Sequence, residues 1–141
     1  MPMSVRKALH NLYMVIMKLV VFFSPDSRHR VFAGSGSSAQ LCEHIARTGV
    51  TKVLVVTDKP LRELGVVDQA TAALAGTAVD VAYYDGVLPD PTFDQVAEGA
   101  ALARSHGSEA VLAIGGGSSM DAAKIIAASA TSDMAPADWV G

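Results

Sequence analysis

Ala110-Val-Leu-Ala-Ile-Gly-Gly-Gly-Ser-Ser-Met-Asp-Ala-Ala-Lys124 reads as three pieces in succession. The apolar run up to Ile114, bounded by glycine, has the character of a parallel strand buried on both faces. Gly115, Gly116 and Gly117 then break the run, and a small-residue helix restarts the chain. Ser118 or Ser119 is expected to cap that helix, which places Asp121 in its first turn, where the macrodipole favours negative charge. Without Cβ atoms, the three glycines let a ligand approach the backbone closely. Their amides, joined by the first free N–H groups of the helix, form an anion site. Strand, triple glycine and helix together point to a seat for a pyrophosphate. The alternative is a tight strand-to-helix turn that holds nothing.

Upstream of this stretch the same alternation recurs. A helix is expected from Ser38 to Thr48, stopped by Gly49, and a buried strand over Lys52-Val-Leu-Val-Val-Thr57, ending at Asp58. A turn from Pro60 to Leu64 and a helix from Val67 to Leu74 lead to a second strand over Ala78–Tyr84. Asp85-Gly86 and Pro89-Asp-Pro91 form a loop, because proline restricts the chain and removes a donor. Thr92 is placed to cap a helix running to about Ser105, and Gly107 to end it. The last helix runs to about Ala130, and Pro136-Ala-Asp-Trp139 begins a further segment. Strands and helices alternating at this spacing imply βαβ units, right-handed crossovers and a parallel sheet. Such sheets bind ligands at the carboxyl ends of their strands. Asp58, the Asp85–Thr92 loop and the Gly115–Ser118 loop all fall there.

A second glycine cluster competes for the phosphate. Gly34-Ser-Gly-Ser-Ser-Ala39 matches G-x-G-x-x-A, and Asp58 follows about twenty residues on, where a ribose-binding acid belongs. The strand that should precede it, Arg30–Ala33, is brief and sits behind Arg28 and His29, unlike a central parallel strand. It therefore ranks behind the triple glycine.

The N-terminus has a different character. Leu12-Tyr-Met-Val-Ile-Met-Lys-Leu-Val-Val-Phe-Phe23 is apolar except for Lys18, and Arg6 and Lys7 precede it as in a signal peptide. No small-residue cleavage site follows, and the run falls short of the roughly 20 residues a span requires. A helix packed on the domain or on a partner is the preferred reading.

A chain of 141 residues suits one domain, and its hydrophobic half with few aromatics suits an Ala/Val/Leu-rich α/β protein. A net charge of −3 without dense Lys/Arg clusters argues against nucleic-acid and anionic-membrane partners. One cysteine, Cys42, allows no internal disulfide, which points to the cytoplasm, and its helical spacing with Leu41 and Ile45 suggests a packed thiol.

Candidate chemistry is confined to binding. Asp58, at a strand end, can accept both hydroxyls of an adenine ribose and would repel a 2′-phosphate, favouring NAD over NADP; equally, it can serve as the N-cap of the Pro60 turn. Asp90 is held between two prolines, either touching a nucleotide or stabilising its turn. Asp121 can orient ligand hydroxyls or pair with Lys124 three residues on. His10, His29, His44 and His106 are scattered without metal-ligand spacing, and no nucleophile elbow or Walker lysine is present.

Gly115 to Lys124 closely resembles the signature of the iron-containing (group III) alcohol dehydrogenases. Phe32-Ala-Gly-Ser-Gly36, Val55-Val-Thr-Asp-Lys59, Tyr84-Asp-Gly-Val87 and Pro89-Asp-Pro-Thr92 agree with that family in order. The resemblance runs from about residue 28 onward. It implies an NAD-binding α/β domain over residues 28–141, Rossmann-like but truncated; residues 1–27, which its motifs do not cover, are the apolar N-terminal helix or extension read above from Ser4 to Phe23. It also implies NAD(P)-dependent interconversion of alcohols with aldehydes or ketones, with NAD the cofactor and small alcohols or aldehydes the substrates. Carried over by motif, Gly116, Gly117 and Ser118 hold the pyrophosphate, Asp58 the adenosine ribose, and Asp121 lines the cofactor cleft. Asp90 stands where the family has asparagine. The family's iron or other divalent metal is held by an Asp and three His beyond this stretch, in a helical C-terminal domain, so no metal ligand and no catalytic residue maps here. The expected product is therefore an inactive cofactor-binding part, self-associating as a homo-oligomer through apolar surface left uncovered. A free-standing nucleotide-binding or interaction module is the alternative, and glycerol dehydrogenase and dehydroquinate synthase relatives share the sheet and loop.

Overall fold

Val53, Leu54, Val55 and Val56 are wholly buried, and the fold is arranged around them. The computed structural model describes residues 30–132. Their helices and strands all belong to the compact unit Phe32–Gly141. In chain order these are α1 (Ser37–Arg47), β1 (Lys52–Val56), α2 (Lys59–Glu63), α3 (Val66–Thr71) continued by a 3₁₀ turn (Ala72–Leu74), β2 (Asp80–Tyr84), α4 (Phe93–His106), β3 (Ala110–Ala113) and α5 (Gly117–Ala130). The three strands form a parallel sheet in the order β2-β1-β3, with Leu54 opposite both Ala82 and Val111. The expected α/β class, a Rossmann-like parallel sheet flanked by helices, is thus observed.

β1 is central because its side chains are apolar on both faces, the condition for a strand covered on each side. Successive side chains alternate across the sheet. Leu54 and Val56 meet Val96 and Ala103 of α4 and Ala122, Ala123 and Ile126 of α5. Val53 and Val55 meet Val67 of α3, with Ile45 of α1 and Leu61 of α2 packed alongside. Each such aliphatic side chain contributes about 1.5–3 kcal/mol on burial. Gly99 admits α5 to this core: a Cβ there would strike Ile126 Cδ1 and lie 3.2 Å from Tyr84 Cδ1. Cys42, 1% exposed, donates to the Ala70 carbonyl, and burial pushes its thiol pKa up, as suits a packed thiol.

α4 starts and stops where its sequence indicates. Thr92 and Gln95 form a reciprocal capping box, and Gly107 closes the helix in the left-handed region at φ 73°. Other expectations need correction. Residues 30–33 form no strand; Gly34 and Gly36, at φ 95° and 79°, turn the chain directly into α1. At Pro60, by contrast, the expected helical turn is present as α2, with Asp58 as its N-cap and proline in its first positions. β2 begins at Asp80 rather than Ala78, since Thr77 closes a turn onto the Leu74 carbonyl and accepts from the Val79 N–H. α5 begins at Gly117 with Gly116 as N-cap, and neither Ser118 nor Ser119 caps it. Asp121 consequently lies beyond the first turn.

The helix expected over Ser4–Phe23 and the Pro136–Trp139 segment fall outside the described residues. Among the described residues no helix is long and apolar enough to cross a membrane.

Candidate functional site

β1 and β3 are neighbours whose following helices cover opposite faces of the sheet. After β1 the chain enters α2 and α3, on the Val53–Val55 face; after β3 it enters α5, on the Leu54–Val56 face. Divergence of this kind opens a crevice at the carboxyl ends of the strands, the switch point where open α/β sheets bind ligands. A cleft of about 460 Å³ lies there, lined by Asp58, Lys59, Pro60 and Leu61 after β1, Val87, Leu88 and Pro89 after β2, and Gly116, Gly117, Ser118 and Ser119 after β3. Three sequence-distant loops therefore contribute one wall each.

The glycine wall is a bare helix terminus. The first helical bond of α5 runs from the Met120 N–H to the Gly116 carbonyl. That register leaves the N–H groups of Gly117, Ser118 and Ser119 without intrahelical acceptors, and no side chain caps them. A Cβ at Gly116 or Gly117 would meet nothing within 4 Å, so the approach to this backbone is open. Gly115 differs: its φ is 149°, and a Cβ would lie 2.5 Å from Ser119 Oγ and 2.8 Å from Ser119 Cβ. One glycine is required by geometry and the next two clear the way to the amides.

Asp58 spans two walls. Its Oδ1 accepts the Leu61 N–H at 2.9 Å, the capping role. Its Oδ2 points to the other wall, 3.5 Å from the position of a Cβ on Gly115. The capping role occupies Oδ1 and leaves Oδ2 facing the glycine wall. An isolated antiparallel bridge joins Asp58 to Gly86 and holds the β2 loop alongside. The neighbouring Thr57 hydroxyl is buried with no hydrogen-bond partner among the described residues.

Asp58, Gly116, Gly117 and Ser118 are thus gathered at one cleft, whereas Asp90 and Asp121 do not line it. Asp90 is exposed at φ 56°, a left-handed conformation that aspartate tolerates. Asp121 pairs with Lys124 at 2.9 Å, both side chains exposed. Residues 34–39, the competing glycine cluster, contribute nothing to the lining. One contributor was missed by sequence reasoning: Lys59, a cation at the cleft whose own partner Glu63 is 4.0 Å away, visible as the residue following Asp58. The Asp85–Thr92 loop was expected at this edge, but that its Val87–Pro89 portion forms an apolar wall was not, because that depends on how the loop folds back.

Among the described residues a further charged constellation lies away from the cleft. His106 joins Ser108 Oγ at 2.8 Å and Asp80 Oδ2 at 3.2 Å, where β2 begins. Beside it, Glu109 accepts the Thr51 N–H at 2.6 Å, which holds its carboxyl below the usual range. Among the described residues no group of three or more His, Cys, Asp or Glu is placed to hold a metal ion.

A glycine-rimmed helix terminus and an acid at adjacent strand ends of a parallel sheet lie where open α/β sheets bind ligands. The comparisons place it further: the family model for iron-containing alcohol dehydrogenase matches residues 28–140, and the chain belongs to that family. It is 40% identical over 93 residues to the lactaldehyde reductase of Escherichia coli K12, an alignment covering 66% of this chain and 24% of the relative. It is 36% identical over 107 residues to long-chain-alcohol dehydrogenase 1 of Geobacillus thermodenitrificans, covering 76% and 27%. Among solved structures it is similar to the NADH-dependent butanol dehydrogenase A of Thermotoga maritima, with a TM-score of 0.69 and 31% identity over 79% of this chain and 30% of that one. Sulfoacetaldehyde reductase from Bifidobacterium kashiwanohense in complex with NAD+ gives the same TM-score at 25% identity, covering 82% and 32%. The chain spans about a quarter of the length of the curated relatives it matches.

Proposed function

We propose that this chain is the NAD-binding part of an alcohol dehydrogenase that interconverts small alcohols with aldehydes or ketones. The observation that carries the reading is the uncapped terminus of α5, with open approaches at Gly116 and Gly117, facing Asp58 across one cleft. In this reading the N–H groups of Gly117, Ser118 and Ser119 donate to the pyrophosphate, whose charge the helix dipole favours. Asp58 Oδ2 accepts from the adenosine ribose, and its negative charge disfavours a 2′-phosphate, so NAD is preferred to NADP. Lys59 adds a cation at the rim, and Val87, Leu88 and Pro89 give the nucleotide an apolar surface to lie on. Bound NAD would supply the hydride chemistry, taking hydride from the carbinol carbon. Asp90, on the exposed loop after Pro89, and Asp121, paired with Lys124 on α5, stand outside the cleft lining, so their part is secondary.

The described residues offer no ligand set for iron or another divalent metal, and no step is assigned to one. The isolated chain is accordingly proposed to bind cofactor without turning over alcohol, the rest of the enzyme and a homo-oligomeric assembly supplying the reaction centre. Purified chain incubated with NAD+, ferrous or zinc ion and propanediol or butanol tests this. No NADH production, with NADH binding retained, is expected; steady turnover would refute the incompleteness.

A further inference from the structure

Gly86 occupies a junction beside the cleft, next to Val87 of its lining, that neither its backbone nor the glycine rim explains. It is absent from the positive-φ residues, so a left-handed turn is not what requires glycine there. The requirement comes from Tyr84: a Cβ on Gly86 would lie 2.8 Å from the phenol Oη, 2.9 Å from Cζ and 3.0 Å from Cε2. The ring has little freedom to retreat. It is 9% exposed and packed in the core with Val87, Val96 and Ile126. Its hydroxyl donates to the Gln95 carbonyl at 2.7 Å on α4, with the Glu98 carboxylate 3.3 Å away. On its other side, Gly86 bridges Asp58, and the Thr57 N–H donates to the Tyr84 carbonyl at 2.9 Å. The next three residues, Val87, Leu88 and Pro89, are the apolar wall.

We propose that Gly86 is a positioning residue: bare backbone lying on the Tyr84 ring sets the apolar wall Val87–Pro89 against Asp58, and so fixes the width of the cleft. The ligand in this inference rests on the nucleotide reading above, whereas the mechanics rest on the Tyr84–Gly86–Asp58 contacts alone. A methyl at residue 86 cannot displace the ring, so the loop lifts and its bridge to Asp58 loosens.

The test compares the wild-type chain with Gly86→Ala, Tyr84→Leu and the double variant, using NADH calorimetry and backbone amide spectra. Gly86→Ala is expected to weaken NADH binding about tenfold, the size of a modest overpacking penalty. Its amide signals should shift at Asp58 and Leu61, across the cleft. The double variant, which removes the ring the methyl strikes, is expected to regain the affinity of Tyr84→Leu. Gly86→Ala affinity within about twofold of wild type, or no recovery in the double variant, would overturn the proposal. If wild type binds no NADH, the nucleotide reading fails and the spectra decide. Shifts reaching Asp58 and Leu61 then uphold the positioning role, and shifts confined to Tyr84–Val87 overturn it. If Gly86→Ala does not fold, the double variant should, since the three atoms nearest the methyl all belong to Tyr84; a double variant that is unfolded while Tyr84→Leu alone folds also overturns the proposal.

Discussion

Gly115→Ala and Gly117→Ala are the same chemical change two residues apart, and the geometry assigns them opposite outcomes. At Gly115 the backbone φ of 149° is one that side chains rarely adopt, a strain of about 1–3 kcal/mol. The added methyl would also lie 2.5 Å from Ser119 Oγ and 2.8 Å from Ser119 Cβ. The hydroxyl can rotate away, but the Cβ is fixed by α5, and Ser119 is only 2% exposed. Overpacking of this kind costs about 1–3 kcal/mol. Together they predict a loss of roughly 2–6 kcal/mol, a large share of the about 5–15 kcal/mol that holds a domain folded. At Gly117 no atom lies within 4 Å and the backbone is ordinary. Alanine there gains helix propensity, up to about 1 kcal/mol, so stability holds or rises. Its methyl nevertheless enters the approach to the amides. Losing one charge-assisted hydrogen bond would weaken NADH binding roughly 10- to 150-fold. Urea unfolding followed by circular dichroism, with NADH calorimetry on the same samples, reads both quantities. Gly115→Ala as stable as wild type, or Gly117→Ala destabilised by more than about 2 kcal/mol, would refute the division of labour.

Thr92→Ala removes one half of the α4 capping box. Its two hydrogen bonds, at 3.3 and 3.4 Å, are long, so urea unfolding should show a loss of about 0.5–1 kcal/mol, at the low end for a cap, with Thr92→Ser close to wild type. At the opposite end of the sheet, the Thr51 N–H lowers the Glu109 pKa from its ordinary 4.5. A lowered folded pKa stabilises the fold above the unfolded value, and that contribution is lost as pH falls through the folded one. Melting temperature should therefore fall more steeply below about pH 4.5 for wild type than for Glu109→Gln; parallel profiles would show that the Thr51 contact carries no linkage.

How far the sequence could be read depended on how local the cause was. β1 was legible because Val53–Val56 are apolar on both faces, and α4 because Thr92 and Gly107 mark its ends by their own conformations. The glycine loop was legible as a loop, but its cap was not. Serine at residues 118 and 119 suits an N-cap, yet the Met120 to Gly116 bond starts the helix earlier, and the amides are left bare. Asp58 shows the converse. Its capping role was legible from the Pro60 turn, whereas the placing of its second oxygen towards the glycine wall is a tertiary fact. The apolar wall at Val87–Pro89 and the His106–Asp80 pair depend on contacts between separate elements, which no local pattern records. Arg30–Ala33 failed as a strand because two left-handed glycines follow it at once, and a fingerprint without its strand lacks the context that gives it meaning.

The central claim is that the cleft between Asp58 and the α5 terminus binds NAD through this chain's own residues. Calorimetric titration with NADH and NADPH, on wild type and Asp58→Asn, tests it most directly. Asparagine caps a helix as well as aspartate does, so α2 should be retained while the charge is removed. The account predicts that wild type binds NADH more tightly than NADPH, and that Asp58→Asn narrows the difference without changing the melting temperature. A folded wild-type chain that takes up neither nucleotide would contradict it.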